Sequence, residues 1–307
     1  MIRFVEKKAI SFTISGILFL ASVVLLFTVG LKPNIEFTGG SLIEVNFIGN
    51  RPEVNEMQSV LKPLNMGEIV VQPVNADSHI IKTRYISEEE HQTILKTLRE
   101  KVGPNSNDQT NHGVIEKRIE TIGPAVSSYL KARAFKAAAL VLLIIILFIA
   151  YSFRKVSRPV ASWKYGLTAV VALIHDVVIS MGVFVLLGRY MGVEVGISFV
   201  VAMLTVLGYS VNDTIIIYDR IREKLIRRGS QSFEDTINVA INETLSRSLI
   251  TTLITLLVLF ALFLFGGESI RFFALALIIG VFFGAYSSIF IAAPLLATFD
   301  NWSRRRS

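Results

Sequence analysis

Two residues in this chain stand where ionisable groups are rare. Asp213 lies in the run GISFVVAMLTVLGYSVNDTIIIYDRIRE, and Arg247 in the run ETLSRSLITTLITLLVLFALFLFGG. The two runs lie between Gly196 and Gly267, and each is long and apolar enough to cross a bilayer. A carboxylate inside a membrane helix costs about 2.5–3.5 kcal/mol on insertion scales, so it is rarely kept without a role and a partner. Such a pair can handle protons. A guanidinium favours the ionised carboxylate, desolvation favours the neutral acid, and their balance suits a group that takes up and releases a proton. The competing reading is a buried ion pair that only fixes helix packing. Thr251 and Thr252, one turn beyond Arg247, add hydroxyls, and Asn212 and Thr214 flank Asp213. His175 and Asp176 form a second intramembrane pair. Neighbouring helical residues point about 100° apart, so these two are not expected to share one narrow face. Three readings fit them: a relay element, an interhelical hydrogen bond, or a metal half-site. Metalloprotease spacing such as HExxH is absent.

The elements that must position these residues are membrane helices. The chain has 307 residues, 52% of them hydrophobic, with a mean hydropathy of +0.57. That is too apolar for a soluble domain and fits a polytopic helical membrane protein with a soluble insert. Apolar runs at residues 9–31, 134–153, 165–187, 196–218, 245–265 and 272–299 predict six spans. The first follows Arg3, Lys7 and Lys8, as a signal peptide would begin. It exceeds the usual ~7–15-residue apolar core, and no small-x-small cleavage site closes it, so an uncleaved first span is expected. The last run is longer than a bilayer needs, and Pro294 predicts a kink or an interfacial tail.

Lysines and arginines set the orientation. They cluster at Arg3, Lys7 and Lys8, at Arg154, Lys155, Arg158 and Lys164, at Arg220–Arg228, and at Arg304–Arg306. The opposite loops hold only Arg189 and Arg271. Both termini are therefore expected in the cytoplasm, with Trp163, Tyr165 and Trp302 at the same interface. The net charge of +7 follows from this bias, and no basic patch suggests a nucleic-acid partner. The absence of cysteine excludes disulfides, thiolate metal sites and cysteine nucleophiles. With a rise of about 1.5 Å per residue, Asp213 lies ~26 Å from Gly196 and Arg247 ~29 Å from Gly266. An antiparallel hairpin would bring the two to one depth, in the cytoplasmic third. By the same rise His175 lies ~16 Å in from Lys164, near mid-bilayer. Between the spans, Ser232 and Asp235 signal a helix start, and Phe233, Ile237, Ile241 and Leu245 share a stripe. An amphipathic helix lying along the membrane is expected there.

Three divisions follow: residues 1–31 with the first span, 32–130 as a soluble unit, and 131–307 with the remaining spans. The soluble unit reads β-α-β-β-α-β, the ferredoxin-like order. Strands are expected at 40–48, 68–74, 79–86 and 114–122. One helix opens at Pro52 and another at a Ser87/Glu90 capping box. His79, His91 and His112 are dispersed and are expected at the surface. Gly280 and Gly284 form a GxxxG pair, which predicts close helix packing.

The chain resembles the SecF family, the smaller membrane subunits of the bacterial SecD–SecF protein-export complex within the RND superfamily. The resemblance covers essentially the whole chain. It rests on IEFTGGSLIEV, HDVVISMGVF, GYSVNDTIIIYDRIRE and ETLSRSLITTLITLLVLFALFLFGG. The family usually carries Asp before FTGG, where this chain has Glu36, so the charge is kept. The resemblance implies six spans as an RND half-transporter, with a ferredoxin-like periplasmic domain between the first two. It implies assistance, driven by the proton motive force, to unfolded polypeptides leaving the SecYEG translocon. It places proton-relay roles on Asp213 and Arg247, with Thr251 as their neighbour in the relay; His175, Asp176 and Asn212 stand beside them, on the reading of the residues alone, as secondary candidates for relay or packing. SecD is the implied partner, supplying a facing carboxylate. Membrane lipid surrounds the pair, and no cofactor or enzymatic activity is implied. The rival readings are an RND exporter of lipid or small molecules and a structural translocon scaffold.

Overall fold

The computed structural model describes residues 2–48, 51–74, 76–102, 113–152, 161–227 and 232–304. Asn75, the loop 103–112 with His112, and Arg154, Lys155, Arg158, Arg228, Arg305 and Arg306 lie outside the described residues, as do the side chains of Arg227, Trp302 and Arg304. Two units form: Met1–Lys32 with Phe135–Ser307, and Pro33–Ala134. The elements begin with α1 (Lys8–Thr28), α2 (Ile35–Thr38), β1 (Gly40–Phe47), α3 (Val54–Leu61), β2 (Val70–Pro73), β3 (Ser78–Thr83), α4 (Glu88–Lys101) and β4 (Val114–Ile122). They continue with α5 (Pro124–Ser152), α6 (Ser162–Met191), α7 (Ile197–Arg227), α8 (Phe233–Phe265), α9 (Glu268–Ser287) and α10 (Ala293–Arg304), with a π-helical turn, Ser288–Ala292, joining the last two.

In the Pro33–Ala134 unit one antiparallel sheet runs in the order β2-β3-β1-β4. β3 lies between β1 and β2, and β1 lies between β3 and β4, which is the ferredoxin-like arrangement. Ile43, Val45 and Phe47 of β1 are buried with Met57 and Leu61 of α3 and Ile94, Leu95 and Leu98 of α4. Gly40 opens β1 at φ 134°. A Cβ there would stand 2.6 Å from the Thr83 carbonyl oxygen, so only glycine lets β1 lie this close to β3. The expected capping box closes α4: Ser87 Oγ accepts from the Glu90 N–H, and Glu90 accepts from the Ser87 N–H at 2.9 Å. Arg84 Nη2 donates to Glu90 at 2.5 Å. That bond and the Ser87 N–H hold the Glu90 carboxyl below the usual carboxylate range.

Several expectations need correction in this unit. α3 starts at Val54 with Glu53 as its cap, past Pro52. β2 is confined to Val70–Pro73, since Pro73 has no N–H to extend the ladder. β3 ends at Thr83 because its β1 partner ends there, with Ser41 opposite Thr83. His79 and His91 are buried, not at the surface. Polar partners make this tolerable. His79 Nε2–H donates to the Pro52 carbonyl at 2.8 Å. His91 lies between Glu88 and Glu116, 3.3 Å from each.

In the other unit, six helices among the described residues are long and apolar enough to cross a membrane. They are Val5–Thr28, Pro124–Ser152, Trp163–Met191, Ile197–Ile226, Phe233–Phe265 and Ile270–Asp300. The third, fourth and sixth form the buried centre, while the most apolar stretches of the second and fifth are almost wholly unburied, the fifth burying a face only over Phe233–Thr252. Lipid tails give apolar side chains no reason to prefer a protein neighbour, so small and polar residues mark the packed faces. The buried residues of α1 are Ser11, Ser15 and Ser22. Ser15 Oγ meets Tyr286 OH at 3.0 Å. A Cβ on Gly182 of α6 would lie 2.3 Å from Ser22 Oγ, so those backbones touch. The Gly280/Gly284 pair packs α9 on α7 in the same way: added Cβ atoms would meet Val206 at 2.1 Å and Ser210 at 2.9 Å.

One expectation changes here, and the irregularity expected at Pro294 is found as a π-helical turn. Ser232 does cap a helix, accepting from the Asp235 N–H at 3.1 Å, but this helix is α8 itself, which runs unbroken to Phe265. Its first turns do not form a separate interfacial helix. Phe233, Ile237 and Ile241 are buried in the protein core with Tyr218 and Ile221. Asn238 and Asn242 hold the N-terminal segment there, accepting from the Val5 N–H at 3.0 Å and the Ile2 N–H at 2.9 Å. The sixth span does not end at Pro294. It takes a π-helical turn just before the proline and continues as α10. The missing proline N–H would leave the Phe290 carbonyl unpaired; Ser11 Oγ donates to it at 3.1 Å. Tyr218 OH donates to the Ala292 carbonyl at 3.2 Å.

Candidate functional site

α7 and α8 are antiparallel neighbours, as three contacts of decreasing separation show. Tyr209 meets Thr255, Asp213 meets Ser248, and Arg220 meets Glu243. Asp213 is therefore placed at the depth of residues 247–251, as the arithmetic of helical rise requires. Its carboxylate is 4% exposed and accepts one hydrogen bond, from Ser248 Oγ at 2.6 Å.

Arg247 does not form that contact. No ion pair within 4.0 Å joins it to Asp213. Thr244, Ser248 and Thr252 occupy the buried face of α8 at a spacing of four, whereas Arg247 and Thr251 lie one residue back and are exposed. Thr251 Oγ1 donates to the Arg247 and Ser248 carbonyls at 3.0 Å, so it caps its own helix and does not touch Asp213. Asn212 is likewise exposed. Ser248 is the residue missed by sequence reasoning. Its signal is the i, i+4, i+8 row of small polar residues, the stripe that packs inward in a membrane helix.

Arg247 instead lines a cavity of about 500 Å³. Glu243 and Thr244 of α8 line it too, with Ile215, Ile216, Asp219, Arg220, Arg222 and Glu223 of α7 and Ser152 of α5. Its charged rim is ordered: Arg220 Nε and Lys224 Nζ each donate to Glu243 at 2.6 Å, and Arg220 also pairs with Glu223. Thr244 stands one turn before Ser248, so the cavity approaches to within a turn of the Asp213–Ser248 contact.

The second candidate pair is more tightly built. His175 Nδ1 and Asp176 Oδ1 are 2.9 Å apart, so the 100° between neighbours does not keep the side chains from meeting. Asp176 is fully buried, and its Oδ2 accepts from Ser210 Oγ of α7 at 2.6 Å and Ser287 Oγ of α9 at 2.7 Å. The imidazole lies between Phe19, Phe283 and Tyr286. Ser210 and Ser287 are the missed partners here; the close approach marked by Gly284 could have located Ser210. Among the described residues no group of three or more His, Asp or Glu side chains gathers as a metal site requires. Chemically, then, the unit holds one nearly buried carboxylate beside a cavity and a second locked in hydrogen bonds.

The family model described as "Protein export membrane protein SecD/SecF, C-terminal" matches residues 104–302. The protein translocase subunit SecF of Thermobaculum terrenum is 36% identical over 306 residues, spanning 98% of this chain and 95% of that protein. The chain belongs to the SecF family. The SecF subunit of Magnetococcus marinus is 38% identical over 289 residues, covering 93% of this chain and 88% of the relative. Among solved structures, the crystal structure of SecDF, a translocon-associated membrane protein from Thermus thermophilus, matches with a TM-score of 0.82 at 29% identity. That match covers 98% of this chain and 39% of the SecDF chain, so this SecF-family chain spans about two-fifths of that protein. This SecF-family chain is accordingly a multi-pass membrane protein of protein export, with six helices built for the bilayer and a ferredoxin-like unit between the first two.

Proposed function

We propose that this chain works with SecD as one half of a proton-driven motor that helps polypeptides move forward and leave the SecYEG translocon. It is not an enzyme. Both termini lie in the cytoplasm, and the Pro33–Ala134 unit lies outside the inner membrane, where it meets the emerging unfolded chain. Asp213 takes up and releases the proton, and Arg247 and the cavity connect it with the cytoplasm.

One observation carries this reading. Asp213 is a 4% exposed carboxylate inside a membrane span, with a single serine hydrogen bond and no ion pair among the described residues. A carboxylate kept for packing alone would be expected in a full ion pair or a saturated hydrogen-bond shell. Asp176, with three partners, supplies that contrast within the same unit. The test is Asp213→Asn, co-expressed with SecD. Export that depends on the proton motive force should be lost while the protein still inserts and still binds SecD. Normal export by the variant at full expression would sink the relay.

A further inference from the structure

The membrane unit contains a second buried carboxylate that the relay does not use. Its connections run toward the first. Asp176 of α6 receives Ser210 of α7 at 2.6 Å and Ser287 of α9 at 2.7 Å through one oxygen. Its other oxygen meets His175 at 2.9 Å. Ser210 stands three residues before Asp213, so the two lie about 60° apart around α7. One residue after Asp213, Thr214 Oγ1 is bonded to Ser288 Oγ at 2.8 Å, and Ser288 Oγ also meets the Ser210 carbonyl at 3.4 Å. On the same side Gly284 lets α9 approach the Ser210 Cβ. α7 is thus held at residues 210 and 214 from its inner side, and Asp213 projects from the turn between them toward Ser248.

We infer that Asp176 is a positioning residue for Asp213: by holding Ser210 and Ser287 on one carboxylate oxygen, it fixes the rotation of α7 that presents Asp213 to Ser248. The inference rests on the proposed role of Asp213 as the proton carrier. Apolar side chains gain little by facing protein rather than lipid, so the rotation of α7 is set by the close approach of α9 at Gly280 and Gly284 and by polar contacts. Three polar contacts within about one turn of α7 act in this way: Asp176 of α6 on Ser210, and Ser288 of the π-helical turn on Thr214 and on the Ser210 carbonyl. The carboxylate is suited to the task because it accepts from both serines at once, which an amide oxygen does less strongly. Among the described residues the group facing Asp213 is Ser248 of α8, and the nearest charged side chain on that helix is Arg247, one residue back on the exposed side. Those facing Asp176 are His175, Ser210 and Ser287. A turn of α7 changes the first set while leaving its chemistry intact.

The test uses the full chain reconstituted with SecD in proteoliposomes. Proton flux is recorded against pH for the unaltered protein, Asp213→Asn, Asp176→Asn and Ser210→Ala. Ser210→Ala keeps the Cβ that packs on Gly284 and removes only the hydroxyl, so it tests the contact even if Asp176→Asn fails to fold. Asp213→Asn should abolish flux. Ser210→Ala and Asp176→Asn should conduct, with the midpoint of the pH profile displaced in the same direction by about one unit, a tenfold change in proton affinity. Asp176→Glu, which keeps the charge, should restore much of the original profile. The chain has no cysteine, so a second readout is direct: a single cysteine at Ile216, in the cavity wall, should change its rate of labelling by a water-soluble maleimide when Ser210→Ala is added. An unshifted profile with unchanged labelling in Ser210→Ala, beside the expected loss in Asp213→Asn, would overturn the positioning role. Flux that survives Asp213→Asn would instead overturn the relay on which it rests.

Discussion

Ser248 supplies the one hydrogen bond that Asp213 receives among the described residues. A bond between a hydroxyl and a charged group contributes about 1.5–3 kcal/mol, so its removal changes an equilibrium by roughly tenfold or more. Ser248→Ala is therefore expected to lower proton-driven export about tenfold at normal expression, and Ser248→Thr, which keeps the hydroxyl, to retain most of it. Equal export from the alanine and unaltered proteins would show that the contact is only structural. At this scale Asp213 was legible in the sequence, because a carboxylate in an apolar run is conspicuous. Its partner was not. Arg247 attracts notice by its charge, yet it lies on the exposed side of α8, and the serine one residue on makes the contact. A one-residue step turns a helix by about 100°, which depth arithmetic does not register.

The packing of α7 on α9 depends on small residues, and two predictions follow the geometry. Gly280→Ala places a methyl 2.1 Å from Val206. Overpacking of this kind costs about 1–3 kcal/mol. The variant should melt at lower temperature in detergent, and Val206→Ala in the same chain should recover most of the loss. Gly284→Ala meets the Cβ and backbone Cα of Ser210, so trimming a side chain should not rescue it. If Val206→Ala failed to repair Gly280→Ala, the close approach would be wrong. In the other unit the cap of α4 titrates. The Glu90 carboxyl is held low by Arg84 and the Ser87 N–H. A depressed folded value means the stabilisation is complete above the ordinary glutamate value and is lost as pH falls through the depressed one. Glu90 is exposed, so the effect is small and local. Hydrogen exchange of the first turn of α4 should rise in acid beyond the solvent rate, and Glu90→Gln should remove that acid dependence. These elements differ in how far the sequence revealed them. The capping box and the GxxxG pair carry their own mechanisms in their spacing. The run from Ser232 did not, because a stripe that packs on protein looks the same as one that packs on lipid; Asn238 and Asn242, which reach the N-terminal segment, decide it.

For the molecule as a whole, run length and β-α-β-β-α-β order made six spans and a ferredoxin-like unit legible, since both follow from chain-local patterns. The rotation of each span was not legible. α8 is apolar on every side beyond Thr255, and in lipid both a buried and an exposed face can be leucine. The structure supplies the rotation, and it leaves one feature that is costly for a single chain in lipid. Arg247 and Thr251 face outward from α8, on the side of a helix whose most apolar stretch is almost wholly unburied. Arg247 is relieved on one side by the cavity it lines, in the third of the span that the proposed orientation makes cytoplasmic; a guanidinium fully in lipid would cost up to about 2.5–3.5 kcal/mol on insertion scales. The proposed partner removes that cost if SecD covers this face and offers its own carboxylate. Leu20 of α1 is 63% exposed beside the exposed Ile17 and Val24, with no charged neighbour there among the described residues, and has no such need. A photoreactive reagent attached to a single cysteine in this cysteine-free chain can separate the two. From Thr251→Cys it should cross-link to co-expressed SecD, while from Leu20→Cys it should label lipid. Strong cross-linking from Leu20→Cys and none from Thr251→Cys would place the partner on the other side of the bundle, and Arg247 would then need a different neighbour.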